Sequence, residues 1–173
     1  MISIRSSVSS IRLLAPILGL LFSGCLLARP DPGSLPVQQA CLVAAEQATP
    51  IRIEIARTPA QRSRGLMQRA WLAPDAGMLF VYRDQRRADH SFWMYQTLIP
   101  LDIAYLDRDG VILNIRQMTP CPAEQAKDCP TYAAGVPYYL ALEMNLGYFD
   151  NHGFEAGDRL SLDPSDCRSV PSG

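Results

Sequence analysis

Two acidic residues stand inside runs of apolar side chains, and they are the residues of this chain best placed to do chemistry. Asp102 interrupts the apolar run at residues 99–105, and Glu143 interrupts the run at residues 139–144. Because a buried charge without a partner is costly, a carboxylate in such a run is expected to be paired with a cation or poised for a ligand.

The sequence leaves two interpretations of these acids open. In the first, they form an internal brace with arginines. In the second, they belong to a small polar pocket that receives a ligand. The candidate residues beside the two acids are Arg62, Arg64, Arg69, Trp93, Met94, Tyr95 and Gln96. An aromatic ring next to acids and amides suits a polar ligand such as a saccharide, since the ring covers the apolar sugar face and the acids accept hydroxyl hydrogen bonds.

Two further functions compete with a binding or accessory module. Paired carboxylates hydrolyse glycosidic bonds when they lie about 5–9.5 Å apart, so a hydrolase using Asp102 and Glu143 is one alternative. A protein–protein adaptor is the other, and it requires an exposed apolar patch, for which Trp71, Phe149 and Phe154 are the candidates. A binding module is the leading hypothesis, and an enzyme is less favoured.

Other reaction classes find little support in the residues. The sequence contains no G-x-S-x-G motif, no Walker loop and no G-x-G-x-x-G after a strand. Its two histidines, His90 and His152, give little material for a metal site, so no metal or cofactor is predicted. The net charge of −1 supplies no broad field to attract nucleic acid.

The first 24 residues predict a signal peptide. Arg5 and Arg12 give a positive start, and residues 13–22 form an apolar stretch that is shorter than the roughly 20 residues a membrane-spanning helix needs. Residues 21–25, Leu-Phe-Ser-Gly-Cys, resemble the lipobox of bacterial lipoproteins. In those proteins the cysteine is diacylated and becomes the N-terminus, which implies lipidation at Cys25.

Either lipidation or ordinary secretion, the alternative, places the protein outside the cytoplasm. Leu26 rather than Asp follows the cysteine, and by resemblance to the sorting pattern this favours an outer-membrane anchor facing the periplasm. Residues 25–40 are rich in proline and predict a flexible tether. A single domain is expected at residues 41–167, followed by a tail at 168–173. The expected partners are the membrane, through the lipid, and a small polar ligand.

Four cysteines remain if Cys25 carries lipid, and an even count in an oxidising compartment predicts two disulfides. Of the three pairings, we favour Cys121–Cys129, which closes a proline-rich loop, and Cys41–Cys167, which ties the ends of the domain together. The spacing of Cys121 and Cys129 does not match the C-x₂₋₄-C pair of a zinc site.

The pattern of apolar residues predicts a mainly β domain with one short helix. Thr58 is a good helix cap, followed by Pro59 at the first helical position and Gln61 three residues after the cap. Asp109-Gly110 between two apolar runs indicates a hairpin. About seven strands without a βαβ rhythm favour a small antiparallel sandwich or barrel.

Several blocks of the sequence, in order, resemble the domain-of-unknown-function 192 family. They are Arg62-x-Arg64-Gly65-Leu66-Met67-x-Arg69, Gly77-Met78-Leu79-Phe80, Phe92-Trp93-Met94, Thr97-Leu98-Ile99-Pro100-Leu101-Asp102, and Leu142-Glu143 followed by Gly147. The match covers residues 51–162 and implies a jelly-roll-like β-sandwich, but no function. The family usually has Lys-Asn where this chain has Tyr95-Gln96. If that Lys contacts a ligand in relatives, this chain binds something different or less charged.

Overall fold

The computed structural model describes residues 35–122 and 124–168. The predicted signal peptide, the lipidation site at Cys25 and most of the predicted tether lie outside the described residues. No helix in the described ranges is long and apolar enough to span a membrane.

Strands dominate the described residues, as the sequence predicts. The strands are β1 (Val37–Val43), β2 (Ala48–Ala56), β3 (Ala76–Arg86), β4 (Ser91–Trp93), β5 (Leu101–Leu106), β6 (Ile112–Met118), β7 (Thr131–Ala133), β8 (Tyr138–Asn145) and β9 (Arg159–Ser161). Two short α-helices, α1 (Pro59–Arg64) and α2 (Tyr148–Asn151), accompany two 3₁₀ turns at Ala126–Asp128 and Pro164–Arg168. The sequence predicted α1 and missed α2, since four residues give no helical periodicity.

Seven of the strands form one curled sheet in the order β6-β5-β8-β3-β2-β1-β9, and β4 and β7 form a second, two-stranded sheet. The two edges of the large sheet approach each other, because Val111, just before β6, forms an antiparallel bridge with Arg159 of β9. The mainly β, barrel-like architecture predicted from the sequence is thereby confirmed.

One strand pair departs from the predicted antiparallel pattern. Strands β2 and β3 are parallel, and α1 lies in the connection between them. The domain therefore contains a single βαβ unit, which was missed because it occurs once and sets up no rhythm. Strand β1 also begins at Val37, ahead of the predicted domain start at Cys41.

Both faces of the central strands are buried, and each face contributes to a different apolar cluster. All six residues of β5 are buried. Ile103 and Tyr105 pack with Phe80 and Phe92 in one cluster. Ala104 and Leu106 pack in the other, together with residues such as Leu42, Ile53 and Phe149. This double burial explains why β5 and β8 have nearly continuous apolar sequences.

Both predicted disulfides are present, Cys41–Cys167 and Cys121–Cys129. The first joins β1 to the last 3₁₀ turn, and the second closes the loop between β6 and β7. The cysteine pairing inferred from the sequence is confirmed.

Candidate functional site

The two acids singled out in the sequence are both buried, but they point to opposite faces of the sheet. Asp102 pairs with Met144 and Glu143 pairs with Ile103 across β5 and β8. Partners in an antiparallel register share a face, and successive residues alternate between faces. The two carboxyl groups therefore cannot act on one substrate, and the structure contradicts the paired-carboxylate hydrolase.

Asp102 lies against the start of α2 and not against arginine. It is 1% exposed, and its Oδ2 accepts a hydrogen bond from the backbone N–H of Phe149 at 3.4 Å. Its Oδ1 is buried without a hydrogen-bond partner in the described ranges. Burial raises the pKa of Asp102, while the backbone amides of Gly147, Phe149 and Tyr148 oppose that rise. Asp102 thus stabilises the turn into α2, where free N–H groups favour a carboxylate.

Glu143 lies on the other face, at the buried side of a cleft with a volume of about 320 Å³. We call it the arginine cleft. Its polar lining comprises Arg62, Ser63, Arg64, Tyr82, Arg86, His90, Ser91, Thr97 and Glu143. Its apolar lining includes Leu66, Phe80, Phe92 and Trp93. This volume is at the small end of the range for ligand pockets, about 300–1,000 Å³.

Helix α1 supplies two of the arginines. The hydroxyl of Thr58 accepts a hydrogen bond from the N–H of Gln61, whose side chain accepts in return from the N–H of Thr58. This capping box fixes where the helix starts. Arg62 donates to the carbonyl of Val81 at 3.0 Å, while Arg64 is exposed at the end of the helix.

Strand β3 supplies an aromatic ring and a third arginine. The guanidinium carbons of Arg62 and Arg86 lie 4.7 Å and 5.2 Å from the centre of the Tyr82 ring. Such cation–π contacts position arginines without neutralising them. The pairing of β3 with β8 is irregular between Val81 and Arg86, and Nε of Arg86 is buried without a hydrogen-bond partner in the described part of the chain.

Strand β4 and the residue before it, His90, complete the wall of the cleft. Nδ1 of His90 hydrogen-bonds the hydroxyl of Tyr138, and burial, followed by the charge of Arg86, lowers the pKa of His90. The neutral form of the His90 imidazole is therefore favoured. Trp93 is 46% exposed at the rim, where its ring can cover the apolar side of a ligand.

Glu143 is the unusual member of the cleft. Glu143 is only 4% exposed, and this burial raises the pKa of its carboxyl group to about 8. Within residues 35–122 and 124–168 no hydrogen bond or salt bridge satisfies its carboxyl group. Gly77 of β3 allows the close approach of this strand, since a Cβ there would lie 2.4 Å from the carbonyl oxygen of Glu143.

The other predicted site residues divide between the cleft and the frame around it. Arg62, Arg64, Trp93 and Glu143 line the cleft, whereas Asp102, Arg69, Met94, Tyr95 and Gln96 do not. Met94 is fully buried in the core. The side chain of Gln96 donates to the hydroxyl of Tyr95 at 3.1 Å, so the two residues that depart from the family pattern form part of a loop beside the cleft.

An arginine–carboxylate brace exists, with Glu54 as its acid. Arg69 contacts Glu54 through both terminal nitrogens, at 2.5 Å and 2.8 Å, and Glu54 also accepts from the backbone N–H of Leu35 at 2.6 Å. The sequence did not single out Glu54, and neither Asp102 nor Glu143 forms a salt bridge with an arginine in the described residues. Of the three residues suggested for an adaptor patch, Phe149 and Phe154 are buried and Trp71 is 71% exposed, so these three do not form one exposed surface.

Sequence reasoning missed Tyr82, Arg86 and His90. Tyr82 could have been found from the strand alternation that puts it on the face of Phe80. Arg86 and Arg87 are adjacent in a charged stretch of the sequence, yet only Arg86 lines the cleft. No group of three or more His, Cys, Asp or Glu in the described ranges is arranged to hold a metal ion.

Comparison with known proteins identifies the family of this mainly β domain. The chain matches the DUF192 family, described as an uncharacterized ACR, over residues 41–162. It therefore belongs to that family, as the sequence blocks indicated. None of the curated proteins matches the chain.

Two crystal structures resemble the domain. One is a "putative transcription regulator" from Sinorhizobium meliloti 1021, with 32% identity, a TM-score of 0.65, and coverage of 74% of this chain and 95% of that one. The other is a protein of unknown function from Novosphingobium aromaticivorans DSM 12444, with 30% identity, a TM-score of 0.65, and coverage of 77% and 89%. Both support the fold assignment.

Proposed function

We propose that this chain is an exported, lipid-anchored protein of the bacterial envelope whose arginine cleft binds a small polar ligand. The observation that carries the binding proposal is Glu143, a buried carboxyl group that borders an open cleft and has no partner in the described part of the chain. Such a group costs stability unless something satisfies it. A ligand in the cleft would do so.

The surroundings of Glu143 favour binding over a purely structural role. A structural acid is normally matched by a cation, as Glu54 is by Arg69. Arg62, Arg64 and Arg86 instead line the cleft without a salt bridge to any described carboxylate. Polar groups that converge on a mostly preformed cavity are the usual mark of a small-molecule site.

Intrinsic fluorescence offers a direct test of binding, because the chain has only two tryptophans. Trp93 lines the cleft and Trp71 does not. We expect the Trp71→Phe variant, screened against neutral and charged cell-wall sugars, to show a saturable change in Trp93 fluorescence. Glu143→Met should abolish the change, and Glu155→Met, an exposed control, should keep it. A response that survives Glu143→Met, or silence across the whole screen, would contradict the proposal.

Export and anchoring rest on the N-terminal sequence. Disulfides persist in oxidising compartments, so the two described disulfides are compatible with export. We expect Cys25→Ser to release the protein from the membrane fraction, and globomycin to leave an uncleaved precursor. Membrane association of the Cys25→Ser variant, or normal processing under globomycin, would argue against a lipoprotein.

A further inference from the structure

The charge of the arginine cleft is strongly unbalanced. Three arginines line it, from α1 and β3, and Glu143 is its single acidic lining residue in the described part of the chain. The whole chain, by contrast, carries a net charge of −1. The positive groups are therefore concentrated in the cleft by the fold and do not reflect the composition.

None of these three arginines forms a salt bridge with a described carboxylate. Arg62 uses one nitrogen on the backbone carbonyls of Arg57 and Val81, at 2.6 Å and 3.0 Å. Nε of Arg86 is buried and donates to nothing within residues 35–122 and 124–168. Partly buried guanidinium groups with free donors bind carboxylate or phosphate oxygens well, because the hydrogen bonds are charge-assisted and the fork geometry matches.

Glu143 would repel an anion only if its own carboxyl group were ionised. The ionisable groups around it are Arg62 and Arg64 from α1, Tyr82 and Arg86 from β3, His90 before β4, and Tyr105 from β5. None of them forms a salt bridge with it. Burial disfavours the ionised carboxylate, so its pKa rises to about 8. Near neutral pH the group is mainly a neutral acid, with one O–H to donate.

We propose that the cleft binds a small organic anion, with its carboxylate or phosphate group against Arg62 and Arg86, and with Glu143 as a neutral acid that donates a hydrogen bond to it. This inference rests on the proposed binding function and names its ligand class. Trp93 at the rim takes the apolar part of the ligand. The cleft volume of about 320 Å³ suits a ligand of about the size of a monosaccharide.

Three probes that share a sugar ring, together with inorganic phosphate, test the charge requirement. The full chain carrying Trp71→Phe is titrated at pH 7 with glucose, glucuronate, glucose 6-phosphate and inorganic phosphate, and Trp93 fluorescence is followed. We expect at least one anionic probe to bind tenfold or more tightly than glucose. The preference between glucuronate and glucose 6-phosphate identifies the acid group.

Neighbouring arginines provide a matched control. Arg86→Met should weaken the best anionic probe at least tenfold, while Arg87→Met should leave it unchanged, since Arg87 is exposed and paired with Asp89. Glucose binding as tightly as the anions would overturn this inference and leave the proposed function standing. Silence from all four probes would overturn the inference too, because inorganic phosphate needs nothing but the cations.

The role of Glu143 is tested by pH. Glucuronate is ionised throughout the range from pH 6 to 9.5, so a change in its affinity reports on the protein. We expect affinity to fall severalfold above pH 8, and Glu143→Gln, which cannot ionise, to abolish that fall. Equal affinity of the unsubstituted cleft at pH 6 and 9.5 would contradict the donor role of Glu143.

Discussion

Glu143 is buried among apolar residues, and its ionisation must be linked to folding. Its pKa in the folded protein is about 8, against an ordinary value of 4.5. Folding therefore favours the protonated form, and the free energy of unfolding should fall as pH rises from about 4.5 to about 8 and then level off. The size of this effect is on the order of 5 kcal/mol.

The Glu143→Gln variant should lack this pH dependence, because an amide does not titrate in the range. We expect it to match the unsubstituted protein near pH 4 and to exceed it in stability by a few kcal/mol at pH 9. Urea unfolding at a series of pH values measures the difference. Parallel pH profiles for the two proteins would mean that Glu143 is not a buried, unpaired acid.

Asp102 is expected to matter for stability and not for binding. Asp102→Ala removes the acceptor for the N–H of Phe149 and should cost about 1–3 kcal/mol. Asp102→Asn keeps an acceptor oxygen and should cost less. Ligand affinity should be unchanged in both, since Asp102 faces away from the cleft. An Asp102→Asn variant with normal stability but lost affinity would place this residue in the site after all.

The sequence could reveal that both acids are buried, because each interrupts an apolar run. It could not reveal that they face opposite ways, since that depends on the register of β5 against β8, two strands separated by more than 30 residues. It also could not show that β3 extends as far as Arg86, which pairs with Tyr138 of β8, whereas Arg87 follows the end of the strand and is exposed.

At the scale of elements, the loop closed by Cys121–Cys129 supports one wall of the cleft. Cys121 accepts from the N–H of Gln96 at 2.9 Å and donates to the carbonyl of Thr97 at 3.2 Å. Strand β7, directly after the loop, pairs with β4, which carries Trp93. The disulfide thus stabilises the segment that holds Trp93 and Thr97 at the cleft.

Replacing both cysteines of this loop with serine should affect stability and binding together. We expect a loss of about 2–3 kcal/mol in the free energy of unfolding and a severalfold weaker affinity for the best ligand. Denaturant unfolding and Trp93 fluorescence measure the two effects. Unchanged affinity in a destabilised Cys121→Ser/Cys129→Ser protein would show that the loop does not support the cleft.

Helix α1 and most strands were predictable because their signals are local: a capping box, an Asp-Gly turn and apolar runs. Strand β1 was assigned in part to a tether, since nothing in residues 37–40 distinguishes a sheet edge from extended chain. The parallel contact between β2 and β3 was missed because it is a single long-range pairing. Whether two strands pair in parallel depends on how all strands of the sheet are arranged, and a local stretch of sequence does not contain that information.

At the scale of the molecule, the disulfide between Cys41 and Cys167 joins residues 126 positions apart. In the chain-entropy model, a closed loop of this length contributes about 5 kcal/mol. We expect Cys41→Ser/Cys167→Ser to lower the free energy of unfolding more than removal of the short loop does. Ligand affinity should not change while the protein remains folded, because these cysteines do not line the cleft. The opposite ranking of the two disulfides would contradict this account.

The ionisation state of one carboxyl group, Glu143, tests the central claim most directly. A ¹³C NMR titration that follows the side-chain carboxyl of Glu143, assigned by comparison with Glu143→Gln, reports its pKa with and without the best anionic probe. We predict a value near 8 in the free protein and a higher value when the anion is bound, because the added negative charge opposes ionisation. A value near the ordinary 4.5, unaffected by any probe, would contradict the account.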